Sequence, residues 1–341
     1  MRNETRLALA AYTAGIAQAN GVSSVENSFT VTPTVAQTLE RKIQESSAFL
    51  SSINMVMVPE QSGQALKLAV GSPVSGRTNT AVTARQPSVP HDLDGYDYTC
   101  VHTDMDTAIT YAQLDAWAKF PNFADLVRAS VIQQQALDRI MIGWNGTSAA
   151  ATTNRTTNPL LQDVNIGWIQ KVRTNKPGQI VSDAASAGGP AIKISPTGAA
   201  GSDYANLDAL VFDLVNNLIA PWFRENPDLR VILGRDLAAD VYFPLVNAVQ
   251  PPTEKIATQI ILSGKRIGGL PAVQVPFFPA NAIAVTTLKN LSIYTQEGTR
   301  RRHIKEEAER SRISNYESVN DAFVVEEYDL LAYAENITFV A

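Results

Sequence analysis

Residues 53–96 predict a long excursion without a hydrophobic core of its own, because residues 71–90 contain few large apolar side chains, and this constrains the fold most. Residues 53–58 and 65–70 are apolar and predict two strands of a hairpin, with a turn at residues 59–63. Residues 71–90 are rich in glycine and proline and predict a loop. Loops of this length are uncommon in compact domains and are usually functional. We therefore expect residues 59–90 to serve assembly rather than folding.

The N-terminal residues 1–50 also predict elements that must pack on something else. An amphipathic helix is expected from Asn3, as N-cap, to a stop at Asn20-Gly21. Residues 22–32 are polar and predict an exposed tether, and a second helix opens at Pro33. The alternative for the first helix is a secretory signal, with an Ala-x-Ala site at residues 17–19. Polar residues that interrupt its apolar part favour the helix.

The rest of the chain predicts an α+β fold with a long central helix. A strand with one polar face is expected over residues 97–111, followed by a helix over residues 123–142. The apolar stripe of this helix comprises Val127, Val131, Ile132, Leu137, Ile140 and Met141. Residues 200–290 predict two helices, 207–220 and 235–246, and four strands, 229–233, 256–261, 272–275 and 283–287. This alternation indicates a compact α/β subdomain, and residues 291–341 are rich in strands.

Composition excludes several classes of protein. Apolar residues form 45% of the 341 residues, which argues against a disordered chain. The net charge of -5 is not the footprint of a dedicated nucleic-acid binder, which is usually basic. A single cysteine, Cys100, permits no internal disulfide, and no apolar run approaches the roughly 18 residues of a membrane span. Charged residues form only 18%, and a low charge content favours extensive self-contact.

Motifs of catalysis are absent from the sequence, and we expect no catalytic, cofactor or metal site. No G-x-S-x-G motif is present, and Gly264-Lys265 lacks the remainder of a Walker loop. His102, Asp104 and Asp106 share one strand face and could together bind a divalent metal. The favoured interpretation is a polar outer strand face, and a metal-dependent α+β enzyme stays as the alternative.

A run of charges near the C-terminus is the strongest candidate for an interaction site. Its members are Arg300, Arg301, Arg302, His303, Lys305, Glu306 and Glu307. Basic residues could contact phosphate groups. Because acids follow at once, we favour a charged strand whose two signs pair within or between subunits, and Arg300, Arg301, Arg302, Glu306 and Glu307 are the candidate inter-subunit residues.

Several segments resemble the major capsid proteins of temperate contractile-tailed bacteriophages. These segments run in order over nearly the whole chain: MRNETR, FTVTPTVAQTLERKIQESSAFL, LDAWAKF, NPLLQDVNIGWIQKVR, DYANLDALVFDLVNNLIAPWFRENPDLRVILGRDLAADVYFPLVN, KRIGGLPAVQVPFFP, NLSIY and NYESVN. The resemblance implies the capsid fold shared by tailed phages and herpesviruses. It divides the chain into an N-terminal arm (1–50), an extended loop (51–96), a peripheral domain with a spine helix (97–199), an axial domain (200–290) and returning strands (291–341).

The resemblance also implies a structural role in a phage head. Subunits of this type form the pentamers and hexamers of an icosahedral shell around double-stranded DNA. They assemble in the bacterial cytoplasm on an internal scaffold that is also a protease. That protease trims the arm, which here places the cut close to Phe29-Thr30 and removes about the first thirty residues. A portal protein occupies one vertex, and a decoration protein is a further expected partner. A non-viral protein compartment of the same fold is the alternative.

Overall fold

The computed structural model describes residues 3–70, 75, 77–82, 84–85, 91–117, 123–183, 191–195, 201–238 and 266–340. Its named helices are α1 Asn3–Asn20, α2 Pro33–Glu45, α3 Tyr111–Trp117, α4 Phe123–Asn145, α5 Trp168–Asn175 and α6 Leu207–Asn217. Its strands are β1 Phe29–Thr30, β2 Asn54–Val58, β3 Ser62–Val70, β4 His91–Thr99, β5 Val101–Asp104, β6 Thr107–Thr110, β7 Ile180–Val181, β8 Ile192–Ile194, β9 Leu229–Leu233, β10 Arg266–Ile267, β11 Leu270–Val273, β12 Ile283–Thr287, β13 Leu291–Gln296, β14 Arg301–Glu307, β15 Arg312–Val325, β16 Ala332–Ala334 and β17 Ile337–Phe339. None of the described helices is both long and apolar enough to cross a membrane.

The long strand β15 organises the first sheet, whose order is β1-β14-β15-β13-β2. Strands β14 and β6 flank the first part of β15 in antiparallel register, and β13 and β5 flank the last part. Strand β2 lies parallel to β13. This sheet therefore brings the N-terminal arm, the middle of the chain and the C-terminal strands together.

The second sheet, β10-β11-β9-β12-β16-β7, separates two hydrophobic cores. Side chains of a strand alternate between its faces. Val231, Ile283 and Val285 pack with α6 in one core, whereas Ile232 and Ala284 pack in the other core, with α4 and Trp168. Both faces are covered, which explains why all five residues of β12 are buried.

The spine helix α4 meets α5 in close contact at its C-terminal end. A Cβ atom added at Gly143 would lie 2.3 Å from the ring of Trp168, so only glycine fits there. The Trp168 indole Nε1 donates a 3.0 Å hydrogen bond to the Ser292 carbonyl oxygen. The tryptophan therefore locks the end of the spine helix onto strand β13.

The predicted α+β class is confirmed, and several predicted elements are confirmed with it. Helix α1 ends at Asn20, helix α2 begins at Pro33, and the spine helix runs three residues beyond the predicted end. Helix α6 is capped by Asn206, whose side chain accepts from the Ala209 amide at 2.8 Å, and ends at Asn217 rather than Ala220. Most of the predicted helix 235–246 and all of the predicted strand 256–261 lie outside the described residues.

The predicted hairpin of residues 53–58 and 65–70 is wrong. Strand β3 pairs along its whole length with β4, from Ser62 opposite Thr99 to Val70 opposite His91. Strand β2 instead pairs with β13, more than two hundred residues later. Local turn signals at 59–63 favoured the nearer partner, because they carry no information on long-range pairing.

The predicted strand 97–111 is also divided. Strands β4, β5 and β6 share this range, and α3 begins at Tyr111. Cys100 is fully buried among apolar side chains and does not share the exposed face of His102. The prediction of one strand assumed that every second residue faces the same side. The break between β4 and β5 ends this alternation, so that Cys100 is buried whereas His102 is exposed.

Two predictions about exposure need correction. The tether of residues 22–32 is not free, because Val25 and Val31 are each only 4% exposed. Val131 of the spine helix is half-buried and lies outside the core, which α4 enters through Ala136 and Ile140. The core-facing stripe of α4 is thus rotated from the predicted one and includes polar residues.

Candidate functional site at the junction of arm and sheet

A buried network of charges joins the second arm helix to the spine helix and the first sheet. Glu40 of α2, Arg139 of α4, Arg300 next to β14, and Glu317 and Asp321 of β15 are all at most 6% exposed. The five side chains come from four separate parts of the sequence. They therefore fix the position of the arm relative to the body of the subunit.

The Glu40 carboxylate is the centre of this network. It accepts from both terminal nitrogens of Arg139, at 2.5 Å and 3.2 Å, and also from Arg300. The Nη2 atom of Arg139 also contacts the Asp321 carboxylate at 3.0 Å, and Arg300 contacts Glu317 at 2.8 Å. Two arginines thus bridge three carboxylates. Such paired geometry is what a buried charge requires.

Neighbouring amides and hydroxyls complete most of the remaining hydrogen bonds. Gln135 donates to Glu317 at 3.3 Å, and Thr295 donates to Asp321 at 2.9 Å. The Nε atom of Arg139 is buried with no hydrogen-bond partner among the described atoms. An unpaired buried donor costs free energy, so this nitrogen lowers the stability that the network contributes to the fold.

The network shifts the pKa values of Glu40 and Asp321 in opposite directions. Burial raises the pKa of Glu40, but the two guanidinium groups outweigh burial and hold this pKa below its usual range. Burial dominates at Asp321, where it raises the pKa in spite of Arg139, with the Glu40 charge adding to the rise. The pKa of Arg139 is raised by the two acids, against its own burial, so its positive charge is permanent.

The predicted processing region, Phe29 and Thr30, lies on the outer edge of the charged strand. Phe29 is opposite Arg302 and Thr30 is opposite Arg301 in an antiparallel pair. Phe29 packs with Ile16, Val25, Leu114, Ile304 and Ile313. The candidate cut therefore falls inside a paired strand, between α1 and α2.

Most charges of the predicted inter-subunit strand have partners within the chain. Arg300 is not a surface residue, because it is 3% exposed and belongs to the buried network. Arg302 donates to Asn315 at 2.9 Å, and Glu307 accepts from Arg312 at 2.7 Å. Glu306 accepts from the Tyr111 hydroxyl at 2.6 Å and is itself exposed. A role between subunits stays a prediction for the exposed members of the strand.

The residues of the metal alternative do not form a metal site. His102 contacts Asp104 through a 3.0 Å contact between Nε2 and Oδ1, while Asp106 accepts from the Glu317 amide at 3.2 Å. Within the described ranges, no group of three or more His, Cys, Asp or Glu side chains could hold a metal ion. These residues form the polar edge of β5 and the turn that follows.

Neither Glu40 nor Arg139 was predicted from the sequence as a functional residue, although the helical spacing of each one indicated burial. Glu40 lies four residues after the buried Ala36 and three residues before the buried Ile43 of α2. Arg139 is similarly spaced from Ala136 on α4. A charge placed on the apolar stripe of a helix predicts a buried partner of opposite sign. The identity of that partner could not be read, because it lies far away in the sequence.

Comparisons with known proteins decide the family. The model of the phage major capsid proteins of the P2 family matches residues 8–337. The chain belongs to this family. It is 44% identical over 340 residues to the capsid protein of Escherichia phage P2, covering 99% of this chain and 95% of that protein. It is 43% identical over 345 residues to the major capsid protein of Serratia phage KSP20, with 99% and 98% covered.

The solved structures agree with this family. A chain in the procapsid of satellite phage P4, which includes the size determination (Sid) protein, is 42% identical with a TM-score of 0.81 and covers 100% of this chain and 99% of its own. A capsid chain of an empty GTA particle has a TM-score of 0.52 at 14% identity, covers 86% of this chain and 90% of its own, and supports the fold alone. The expected capsid fold is confirmed. The protein is thus a P2-family capsid subunit of a phage virion, which assembles with copies of itself into an icosahedral shell. Its relatives are structural proteins rather than enzymes.

Proposed function

We propose that this P2-family subunit forms the pentamers and hexamers of its shell through a movable arm and a rigid body. The observation that carries the proposal is the buried network, in which one carboxylate of α2 binds arginines of α4 and of the segment before β14. A contact of this kind holds α2 in place when residues before it are removed. The arm then has two parts: α1 with its tether, and a fixed α2.

We infer for this chain the domains that the family fold implies, and the presence of two hydrophobic cores supports this division. Residues 97–199 with the strands after 291 form the peripheral domain, and α4 is its spine. Residues 200–290 form the axial domain around α6 and β9. Strands β3 and β4 form a two-stranded sheet of their own, most of which belongs to the proposed loop of residues 51–96. A two-stranded sheet alone is marginally stable, so we infer that a neighbouring subunit supports it.

The first thirty residues are removed during maturation, with the cut close to Phe29-Thr30. A protease needs an extended backbone, and this short strand is extended but paired with β14. Cleavage therefore requires that the tether first leave the strand edge. Intact-mass spectrometry of infectious particles should show a chain that begins near residue 30, and a dominant full-length chain would contradict the proposal.

The partners beyond the shell itself are an internal scaffold that acts as protease, a portal protein at one vertex, a decoration protein and packaged double-stranded DNA. The net charge of -5 suits weak, non-specific contact with DNA, because a basic inner surface would bind DNA through release of counterions. Assembly takes place in the cytoplasm of the bacterial host. Analytical ultracentrifugation of the chain co-expressed with its scaffold should show species far heavier than 36.9 kDa. A monomer boundary at all concentrations would refute the proposal.

A further inference from the structure

Among the residues that the structure describes, the backbone groups on the outer edge of strand β14 pair with the arm. The Val31 amide donates to the Arg300 carbonyl oxygen at 2.9 Å, and the Ile304 amide donates to the Val25 carbonyl oxygen at 3.1 Å. His303 contacts the Glu26 carbonyl oxygen through Nε2 at 2.7 Å. An edge strand without such a cover presents unpaired backbone groups to any other strand.

Loss of the N-terminal thirty residues would open this edge. Strand β1 and Val25 would leave, and with them the acceptor of the Ile304 amide. Helix α1 lies beside Ile304 and Glu306 across a groove of about 710 Å³, and it would leave too. Ile304 is 3% exposed beneath this cover. An apolar side chain and a row of backbone groups would then face the solvent together.

The sequence of β14 is complementary to itself when the strand is reversed. It reads Arg-Arg-His-Ile-Lys-Glu-Glu over residues 301–307. An antiparallel pair of two copies, centred on Ile304, sets Arg301 opposite Glu307 and Arg302 opposite Glu306. Opposite charges across a strand pair stabilise it, and like charges oppose a shifted register.

The direction of the backbone groups fits the same register. The Ile304 amide points outward, as its bond to Val25 shows. Strand alternation then directs the amide of Arg302 outward as well. A pair centred on Ile304 sets these outward groups opposite the outward groups of the second copy. Centres at His303 and Lys305 would also match outward groups, but they set Arg301 opposite Lys305 and Lys305 opposite itself. Like charges directly opposite each other are destabilising, so the charges favour the centre at Ile304.

We propose that, once the first thirty residues of the arm are removed and α2 stays in place, the outer edge of β14 pairs with β14 of a second copy in antiparallel register about Ile304. Removal of the arm means here the removal of these thirty residues. The proposal rests on the removal of the arm proposed above. A two-fold contact of this kind is isologous, since the same surface serves both subunits. The arm then keeps the contact closed until processing, and two sheets become one across the subunit boundary afterwards.

Cysteine cross-linking in mature particles tests this register. Two single variants, His303→Cys and Lys305→Cys, are co-expressed so that mixed shells form. In the proposed pair residue 303 of one copy lies opposite residue 305 of the other, at a position without hydrogen bonds. Cα atoms at such positions are about 4.5 Å apart, within the range of a disulfide. Mild oxidation should give disulfide-linked dimers.

Shells made of either variant alone are the matched control, because neither places two cysteines opposite each other. Dimers are expected in mixed shells without the arm, and not in single-variant shells or in mixed precursor particles that keep it. Absence of dimers from arm-free mixed shells overturns the proposal, as do dimers in particles that keep the arm. Intact mass separates the two proposals: a retained arm in mature particles refutes the processing, whereas arm-free shells without dimers refute only the strand pair.

Hydrogen exchange on unaltered particles gives a second test that needs no variant. The amides of Arg302 and Ile304 should exchange slowly in mature shells, because the second copy replaces the arm. Fast exchange at both amides in arm-free shells would show an open edge and overturn the proposal.

Discussion

Replacement of Arg139 by methionine should destabilise the subunit far more than the same change at Arg128. Both arginines lie on the spine helix α4, and both contact acids. Arg139 is 1% exposed and binds Glu40 and Asp321, whereas the Arg128 side chain is 43% exposed and contacts Asp125 at 3.4 Å. The two variants therefore differ in burial and pairing but not in chemistry.

The magnitude follows from the charges that remain. The network has three carboxylates and two guanidinium groups, and Arg139→Met leaves three acids with only Arg300. Removal of one partner of a buried pair costs about 3–5 kcal/mol. An exposed pair such as Arg128–Asp125 contributes about 0.2–1 kcal/mol. We expect the free energies of unfolding of the two variants to differ by about 2–5 kcal/mol.

Urea unfolding of the purified subunits, followed by tryptophan fluorescence, measures this difference. Trp144 of α4 and Trp168 of α5 lie together in the core and report its unfolding. The slopes of the transitions must agree for the midpoints to be compared. Equal losses of stability in Arg139→Met and Arg128→Met would refute the claim that the network holds the arm to the body.

Three further results are expected. Ile140→Ala should cost about 2–5 kcal/mol in urea unfolding, because Ile140 is fully buried, and Val131→Ala should cost clearly less; equal costs would contradict the orientation of α4. Burial raises the pKa of Asp321, so the folded state keeps a proton that the unfolded state releases. Stability should therefore fall as the pH rises from the usual carboxyl range through this raised pKa, and Asp321→Asn should remove that fall in a pH series of unfolding midpoints. Replacement of residues 66–94 by a Gly-Ser turn should leave cooperative melting intact but abolish shells in electron micrographs, because β3 and β4 pair with each other; a poorly melting product or intact shells would count against the loop as an assembly element.

Local patterns in the sequence predicted four of the named helices, whereas the short helices α3 and α5 were not predicted. Caps, glycine stops and apolar spacing act within a few residues, so α1, α2, α4 and α6 were found with small errors at their ends. The same patterns also indicated the short buried strands β9 and β12. Resemblance to capsid proteins supplied the family, because no local pattern states what a shell subunit does.

Long-range pairing could not be predicted in the same way. The partner of β2 is β13, and no residue pattern near β2 in the sequence identifies this partner. Arg300 was interpreted as a surface charge because its neighbours are polar, yet Glu40 and Glu317 bury it. The charged strand itself was correctly predicted as a strand, but its cover by the arm depends on residues far away in the chain.

Electron microscopy of the chain co-expressed with its internal scaffold is the most direct test of the central claim, that this protein is a self-assembling capsid subunit. We expect closed, icosahedral shells whose wall contains the full chain before processing. Only monomers or irregular aggregates, from a protein that unfolds cooperatively and is therefore folded, would contradict it.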